Sequence, residues 1–255
     1  MYKMDDREIL EKEISSLIQP LDDGYLQLLV DIATILQRNV IVTVDNTPPF
    51  DEDFAHHFAG LLLVHHALSS EAFTKDKFEH AMVRVLNQCG FASKLAVRGN
   101  PGNDITVNGQ PWSLKTQADK QLKMDSLHIS KFMELGKGEW TASIDSLQGL
   151  RQRMFNHMEN YEKIFSLRFK EVNNDNYYEL IEIPKTLLLE SEHGELSLCE
   201  NSRQNPMPGY CTVYDENGDI KFKLYFDGGS ERKLQIKHLK KELCYVRATW
   251  RFKRS

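Results

Sequence analysis

The sequence predicts an α/β chain, mixed α+β, with a central mixed sheet flanked by helices and an antiparallel extension built from residues 205–252. Three observations predict it. Phe78, Ala81, Met82, Val85 and Leu86 recur at i, i+3, i+4, i+7 and i+8, one continuous helical stripe. Asn108-Gly109 separates two short strand-like runs, and the two central residues of a type I′ hairpin turn need positive φ. Ile220, Phe222, Leu224 and Phe226 alternate with Lys221, Lys223 and Tyr225, the period of a half-buried strand.

In chain order, residues 5–19 form an amphipathic helix carrying Ile9, Leu10, Ile14, Leu17 and Ile18, closed by Pro20. Residues 24–38 read as a second helix, and Asn46-Thr47-Pro48-Pro49 breaks the chain. This first quarter is a helical cap or dimerisation arm without chemistry of its own. His56, His57, His65 and His66 follow, spaced for neither a zincin helix nor a finger, so they are core or interface histidines. The helix 75–89 comes next, and Phe91 to Val97 is the strand leading into the hairpin. Residues 145–165 form another helix, with Leu147, Leu150, Met154, Met158, Tyr161 and Phe165 on one face. Beyond it the chain reads mostly as strands. They are 177–183, then a short helix opened by Pro184, then 210–214 and 220–226 around a Glu216-Asn217-Gly218-Asp219 turn. Lys233, Gln235 and Lys237 alternate with Leu234 and Ile236, and Tyr245, Arg247, Thr249 and Arg251 share a face of the last strand. Cations on alternate positions of two neighbouring strands either track a phosphate backbone or form a solvated face.

Composition narrows the function. A chain of 255 residues suits one large domain, or one core with a small appendage. No apolar run approaches the roughly 18 residues of a membrane span. The start lacks the basic and apolar segments of a secretory signal. Cys89, Cys199, Cys211 and Cys244 are far apart, which implies reduced thiols in a cytosolic protein. The net charge of −5 argues mildly against a nucleic-acid partner, but it averages two unlike regions. Residues 1–60 hold 4 Lys/Arg against 12 Asp/Glu, and residues 216–255 hold 11 against 5. Neither a Walker loop nor a Gly-x-Ser-x-Gly elbow occurs.

The hairpin carries the candidate chemistry. Asp104 opens its first strand and Lys115 lies inside its second. A carboxylate followed one hairpin later by a lysine resembles the Asp…(Asp/Glu)-x-Lys nucleases. In that superfamily the carboxylate holds a divalent metal and the lysine positions the attacking water. The position two before the lysine is Ser113 here, not an acid. Glu79 lies at the edge of the apolar stripe of the preceding helix, either at the site or as an exposed helix charge.

Several stretches together resemble the SmaI-type type II restriction endonucleases of that superfamily. They are Phe78-Glu79-His80-Ala81, Asn100 to Thr106, Leu114-Lys115-Thr116, Met133 to Trp140, Asn160-Tyr161-Glu162, Ile183-Pro184-Lys185, Pro208 to Cys211 and Tyr225 to Lys237. They run in the same order from about residue 60 to 250, about three quarters of the chain. Residues 1–50, the helical arm read above, carry none of it, and the resemblance implies a restriction-endonuclease-like nuclease domain at 51–255. It implies a homodimer that cuts double-stranded DNA at a short palindrome with Mg²⁺. It implies CCCGGG with a central blunt cut, in the cytoplasm of a bacterium whose cognate DNA methyltransferase belongs to the same system. Other readings on the same fold are a repair nuclease, a nuclease of different specificity, and an inactive DNA-binding protein.

The family also has a small non-acidic residue at the position of Ser113, so the second carboxylate falls to Glu79, and Ser113 itself is expected to matter little. Gln117 stands where the family pattern has an acid. Asp104, Glu79 and the main-chain carbonyl of Leu114 are expected to hold the metal, with Lys115 acting on the water. Arg232 and Gln235, after the Gly228-Gly229 turn, are expected to read bases, and Lys233 and Lys237 to touch phosphates. Asn103, His128, Lys131 and Lys137 complete the expected DNA contacts.

Overall fold

The computed structural model describes residues 4–97, 102–119, 122–136 and 140–254. Helices α1 (Met4–Ile18) and α2 (Asp23–Leu36) open the chain, followed by strand β1 (Val40–Val44) and helices α3 (Glu52–Leu68) and α4 (Lys75–Gln88). Strands β2 (Ser93–Leu95), β3 (Ile105–Val107), β4 (Gln110–Gln117) and β5 (Ser126–Glu134) lead to helix α5 (Ile144–Met158). A long hairpin, β6 (Lys163–Val172) and β7 (Asp175–Ile183), precedes the short helix α6 (Lys185–Leu189). Strands β8 (Glu195–Leu198), β9 (Gly209–Tyr214), β10 (Ile220–Phe226), β11 (Lys233–Lys240) and β12 (Tyr245–Lys253) follow.

Two sheets result. Seven strands lie in the order β1-β12-β7-β6-β4-β3-β2, and five in the order β5-β11-β10-β9-β8. Strands β4 and β6 pair in parallel and the other pairs of the seven-stranded sheet are antiparallel, which makes it the mixed sheet expected. Each of its strands sends alternate side chains to opposite faces. Phe165, Leu167, Tyr178, Leu180 and Trp250 join the core beneath α3 and α4. Ile164, Ile181 and Ile183 join a second core shared with α5 and the five-stranded sheet.

The expected helix at 75–89 is α4, and all five residues of its stripe are buried. Its N-terminus is set by Thr74, whose hydroxyl accepts from the Lys77 amide. The hairpin also forms as expected, with Asn108 at φ 48° and Gly109 at φ 83°. Elsewhere the structure corrects the sequence reading. The stretch 1–50 is not all helical, because Val40–Val44 is an edge strand paired with β12. The helix expected over 145–165 ends at Met158, where the Asn160 side-chain amide donates to the His157 carbonyl at 3.0 Å. Phe165 therefore belongs to β6, and its i+4 spacing from Tyr161 only imitates a helix face. Residues 205–252 do not form one extension. Strands β9 to β11 build the five-stranded sheet, while β12 inserts between β1 and β7 of the other.

Candidate active site

The site is made where a short strand stops beside a long one. Strand β3 pairs with β4 only from Ile105–Trp112 to Val107–Gln110. Beyond Trp112 it leaves that edge of β4 open. Asp104, the residue before β3, keeps one last ladder bond from its amide to the Trp112 carbonyl at 2.9 Å. Its carboxylate then reaches along the open edge and accepts from the Leu114 amide at 2.6 Å. In an extended strand the amide and carbonyl of one residue leave on the same side. The Leu114 carbonyl therefore faces the Asp104 side as well.

Ser113, Lys115 and Gln117 occupy the face of β4 opposite Trp112 and Leu114, which are packed in the core. The Lys115 ammonium donates to the Ser113 hydroxyl at 3.0 Å, and that hydroxyl lies 3.3 Å from the Asp104 carboxylate. Burial drives the Lys115 pKa down to about 8, against the pull of Asp104. Gln117 belongs to another arrangement. Its carbonyl accepts from Arg168 at 3.1 Å and from the His128 amide at 3.3 Å. It does not turn toward Asp104, so the missing acid at this position leaves the site's carboxylate pair untouched.

Glu79 comes from α4. It does not line the cleft itself and meets Asp104 through a residue the sequence reading missed, Lys75. The Lys75 ammonium lies 2.6 Å from Asp104 and 3.4 Å from Glu79. The i, i+4 spacing of Lys75 and Glu79 was visible in the sequence, but the bond to Asp104 spans 29 residues. Burial raises the Glu79 carboxyl, Lys75 opposes the rise, and the charge of Asp104 adds to it.

A cleft of about 520 Å³ opens in front of these groups. Lys75, Gly102, Asp104, Lys115 and Thr116 form one side, and His157 and residues 129–134 of β5 form the other. Gly102 has φ 83°, and a Cβ there would stand 2.6 Å from the Tyr161 ring and 2.8 Å from His157. Among the described residues the buried Asn103 Oδ1, His157 Nε2 and Tyr161 Oη have no hydrogen-bond partner. No three His, Cys, Asp or Glu side chains among the described residues converge to hold a metal ion. The carboxylates of Asp104 and Glu79 already bracket one cationic group, the Lys75 ammonium. Those oxygen donors suit a hard divalent ion such as Mg²⁺.

The expected DNA contacts fall on two surfaces joined by β5. Lys131 lies on the cleft wall and pairs with Glu134 at 2.8 Å, and Asn103 adjoins Asp104. His128, Gln235 and Lys237 lie on the polar face of the five-stranded sheet. Gln235 donates to Asp227 at 3.1 Å, and its carbonyl lies 3.4 Å from His128 Nε2. The Lys237 ammonium sits 3.9 Å from the centre of the Tyr225 ring. Lys233 pairs with Glu231 at 3.3 Å, and Arg232 holds φ 41° in the turn before β11. Lys137 lies outside the described residues. A Cβ at Gly228 would collide with the Pro206 carbonyl, so this glycine permits internal packing. One part of the sequence reading is corrected here. Strands β11 and β12 are not neighbours, and the β12 cations are already paired: Arg247 with Asp45 and Glu182, Arg251 with Asp175.

The family model of SmaI, described as type II site-specific deoxyribonuclease, matches residues 28–252. The chain belongs to this family. It is 48% identical over 205 residues to the type II restriction enzyme SmaI of Serratia marcescens, covering 80% of this chain and 81% of the relative. No solved structure matches it. Membership in the SmaI family makes the chain a type II restriction endonuclease, with double-stranded DNA as its substrate.

Proposed function

We propose that the chain hydrolyses phosphodiester bonds of double-stranded DNA at a short palindromic site in a Mg²⁺-dependent reaction centred on Asp104, Glu79 and Lys115. The observation that carries this reading is the Lys75 ammonium held between the carboxylates of Asp104 and Glu79, a cation-accepting pair beside the buried Lys115. Asp104, Glu79 and the Leu114 carbonyl are assigned to hold the ion. A bound Mg²⁺ would stabilise charge on the phosphate and on the leaving oxygen. Lys115, fixed by the Ser113 hydroxyl, orients the attacking water or takes its proton for in-line attack on phosphorus.

Base reading is assigned to Arg232 and Gln235, and phosphate contact to Lys233 and Lys237. Asn103, His128, Lys131 and Lys137 are assigned as further contacts. The support is that β5 forms both the cleft wall and the edge of the sheet that presents His128, Gln235 and Lys237. A two-fold protein matches a palindrome, so the working unit is assigned as a homodimer. Residues 1–50 are its dimerisation arm. None of the residues of α2 is buried, yet Tyr25, Leu28, Leu29, Val30 and Leu36 are all apolar and exposed. Kinship with SmaI supports CCCGGG with a central blunt cut, and a cognate methyltransferase that protects the host without binding this chain. The bacterial cytoplasm is the assigned location, and among the described residues no helix is long and apolar enough to cross a membrane.

The test is cleavage of a mixed plasmid library with and without Mg²⁺, followed by sequencing of the cut ends. Blunt ends inside CCCGGG in Mg²⁺ alone support the reading. Another motif overturns the specificity, and absence of cutting with any divalent ion overturns the site.

A further inference from the structure

Lys75 is the first residue of α4, and its side chain turns back over the cleft. The ammonium is shared between two carboxylates, at 2.6 Å from Asp104 and 3.4 Å from Glu79. Asp104 is otherwise committed: its second oxygen takes the Leu114 amide and faces the Ser113 hydroxyl. The oxygen that Lys75 occupies is thus the one left to accept a cation. Glu79 pairs with Lys75, and its side chain is only 21% exposed. Two largely buried carboxylates this close together repel, and a cation between them offsets that repulsion. A lysine stem is flexible and its own side chain is 44% exposed, so it can leave this seat without moving the helix.

We infer that Lys75 is a resident counter-cation: it holds Asp104 and Glu79 in the metal-free protein and must give up its place when a divalent ion enters. This rests on the metal-site reading above. Its consequence is quantitative. A site whose binding-competent form is only part of the population has an apparent Kd raised by that fraction. Lys75 imposes this handicap and also adds a like charge beside the incoming ion. In return it keeps the carboxylate pair compatible with a stable fold when no metal is bound.

The experiment measures Mn²⁺ binding without DNA, by electron paramagnetic resonance or calorimetry, together with thermal melting of the same samples. Wild type is compared with Lys75→Met, Lys75→Arg and Asp104→Asn. The expected result is that Lys75→Met binds Mn²⁺ about three- to tenfold more tightly than wild type. Its metal-free Tm should fall, and saturating Mn²⁺ should restore it. Lys75→Arg keeps the competing charge and should stay close to wild type in both respects. Asp104→Asn should lose most Mn²⁺ affinity. If Asp104→Asn loses affinity while Lys75→Met binds Mn²⁺ no better than wild type, the counter-cation role is overturned and the metal site stands. If Asp104→Asn binds normally, the metal-site reading fails and takes this inference with it.

Discussion

The Ser113 hydroxyl joins the lysine of the site to its carboxylate, accepting from Lys115 at 3.0 Å and facing Asp104 at 3.3 Å. The sequence offered only a missing acid there, and a residue that neither charges nor coordinates was expected to be dispensable. Its position gives it a task. Ser113→Ala should slow single-turnover cleavage about three- to tenfold, the worth of one hydrogen bond that holds Lys115. Unchanged DNA affinity would mark the effect as positional. His66 offers a second test. Its Nδ1 lies 3.1 Å from the Ser69 carbonyl, which can only accept, so Nδ1 carries the proton. Nε2 then accepts from the Tyr178 hydroxyl at 2.8 Å, and that hydroxyl accepts from the Phe73 amide at 3.1 Å. Burial, helped by the charge of His65, holds His66 down at about 4, below the ordinary 6.5. Between those values the unfolded chain binds the proton that the folded chain refuses. Stability therefore falls as pH drops through this window, by up to about 3 kcal/mol for this one group. Urea unfolding at pH 7, 6, 5 and 4.5 should show the slope, and His66→Phe should reduce it by close to one proton. An equal slope in the variant would remove His66 as the cause.

At the scale of elements, the connection between β4 and β5 sets the cleft, because β4 carries Lys115 and β5 is the opposite wall. Arg168 of β6 fastens that connection: it donates to the Ser126 carbonyl at 2.9 Å and also to the Lys123 carbonyl, Gln117 and Glu179. Lys170 adds a bond to the Leu122 carbonyl at 2.8 Å. Arg168 and Glu179 are fully buried, and Lys241 caps the other Glu179 oxygen at 2.9 Å. Arg168→Met leaves that carboxylate with a weaker partner and should cost about 3–5 kcal/mol. Lys253→Ala removes an ammonium on a side chain that is 79% exposed and leaves Asp175 its Arg251 partner, so it should cost far less. Denaturant melts of the two variants decide it, and near-equal losses would contradict the fastening role. The Asp104–Lys115 hairpin and α4 were legible because turn residues and apolar period agree there. Strand β5 was not, since the alternation of Leu127 and Ile129 with His128 and Ser130 breaks at Lys131. Strand β6 was hidden because Phe165 continued the spacing of the helix before it. The Asn173-Asn174 turn, at φ 50° and 67°, was the signal that could have revealed the β6–β7 hairpin.

For the whole molecule, sequence reading reached the family and the Asp104–Lys115 hairpin, but not the division of the C-terminal strands between two sheets. Register across long separations, such as β12 entering beside β1, leaves no local trace. The same division confines the proposed DNA surface to β5 and the five-stranded sheet, away from the paired cations of β12. The homodimer reading makes a separate prediction. Leu28→Glu on the exposed face of α2 should shift sedimentation from dimer toward monomer and leave Tm nearly unchanged. A variant that stays dimeric would place the interface elsewhere. The central claim, that Asp104, Glu79 and Lys115 form the catalytic site, is tested most directly by one rate. Lys115→Ala should bind cognate DNA and melt like wild type, while single-turnover cleavage in saturating Mg²⁺ falls about a hundredfold or more. Cleavage by Lys115→Ala at the wild-type rate would contradict the account.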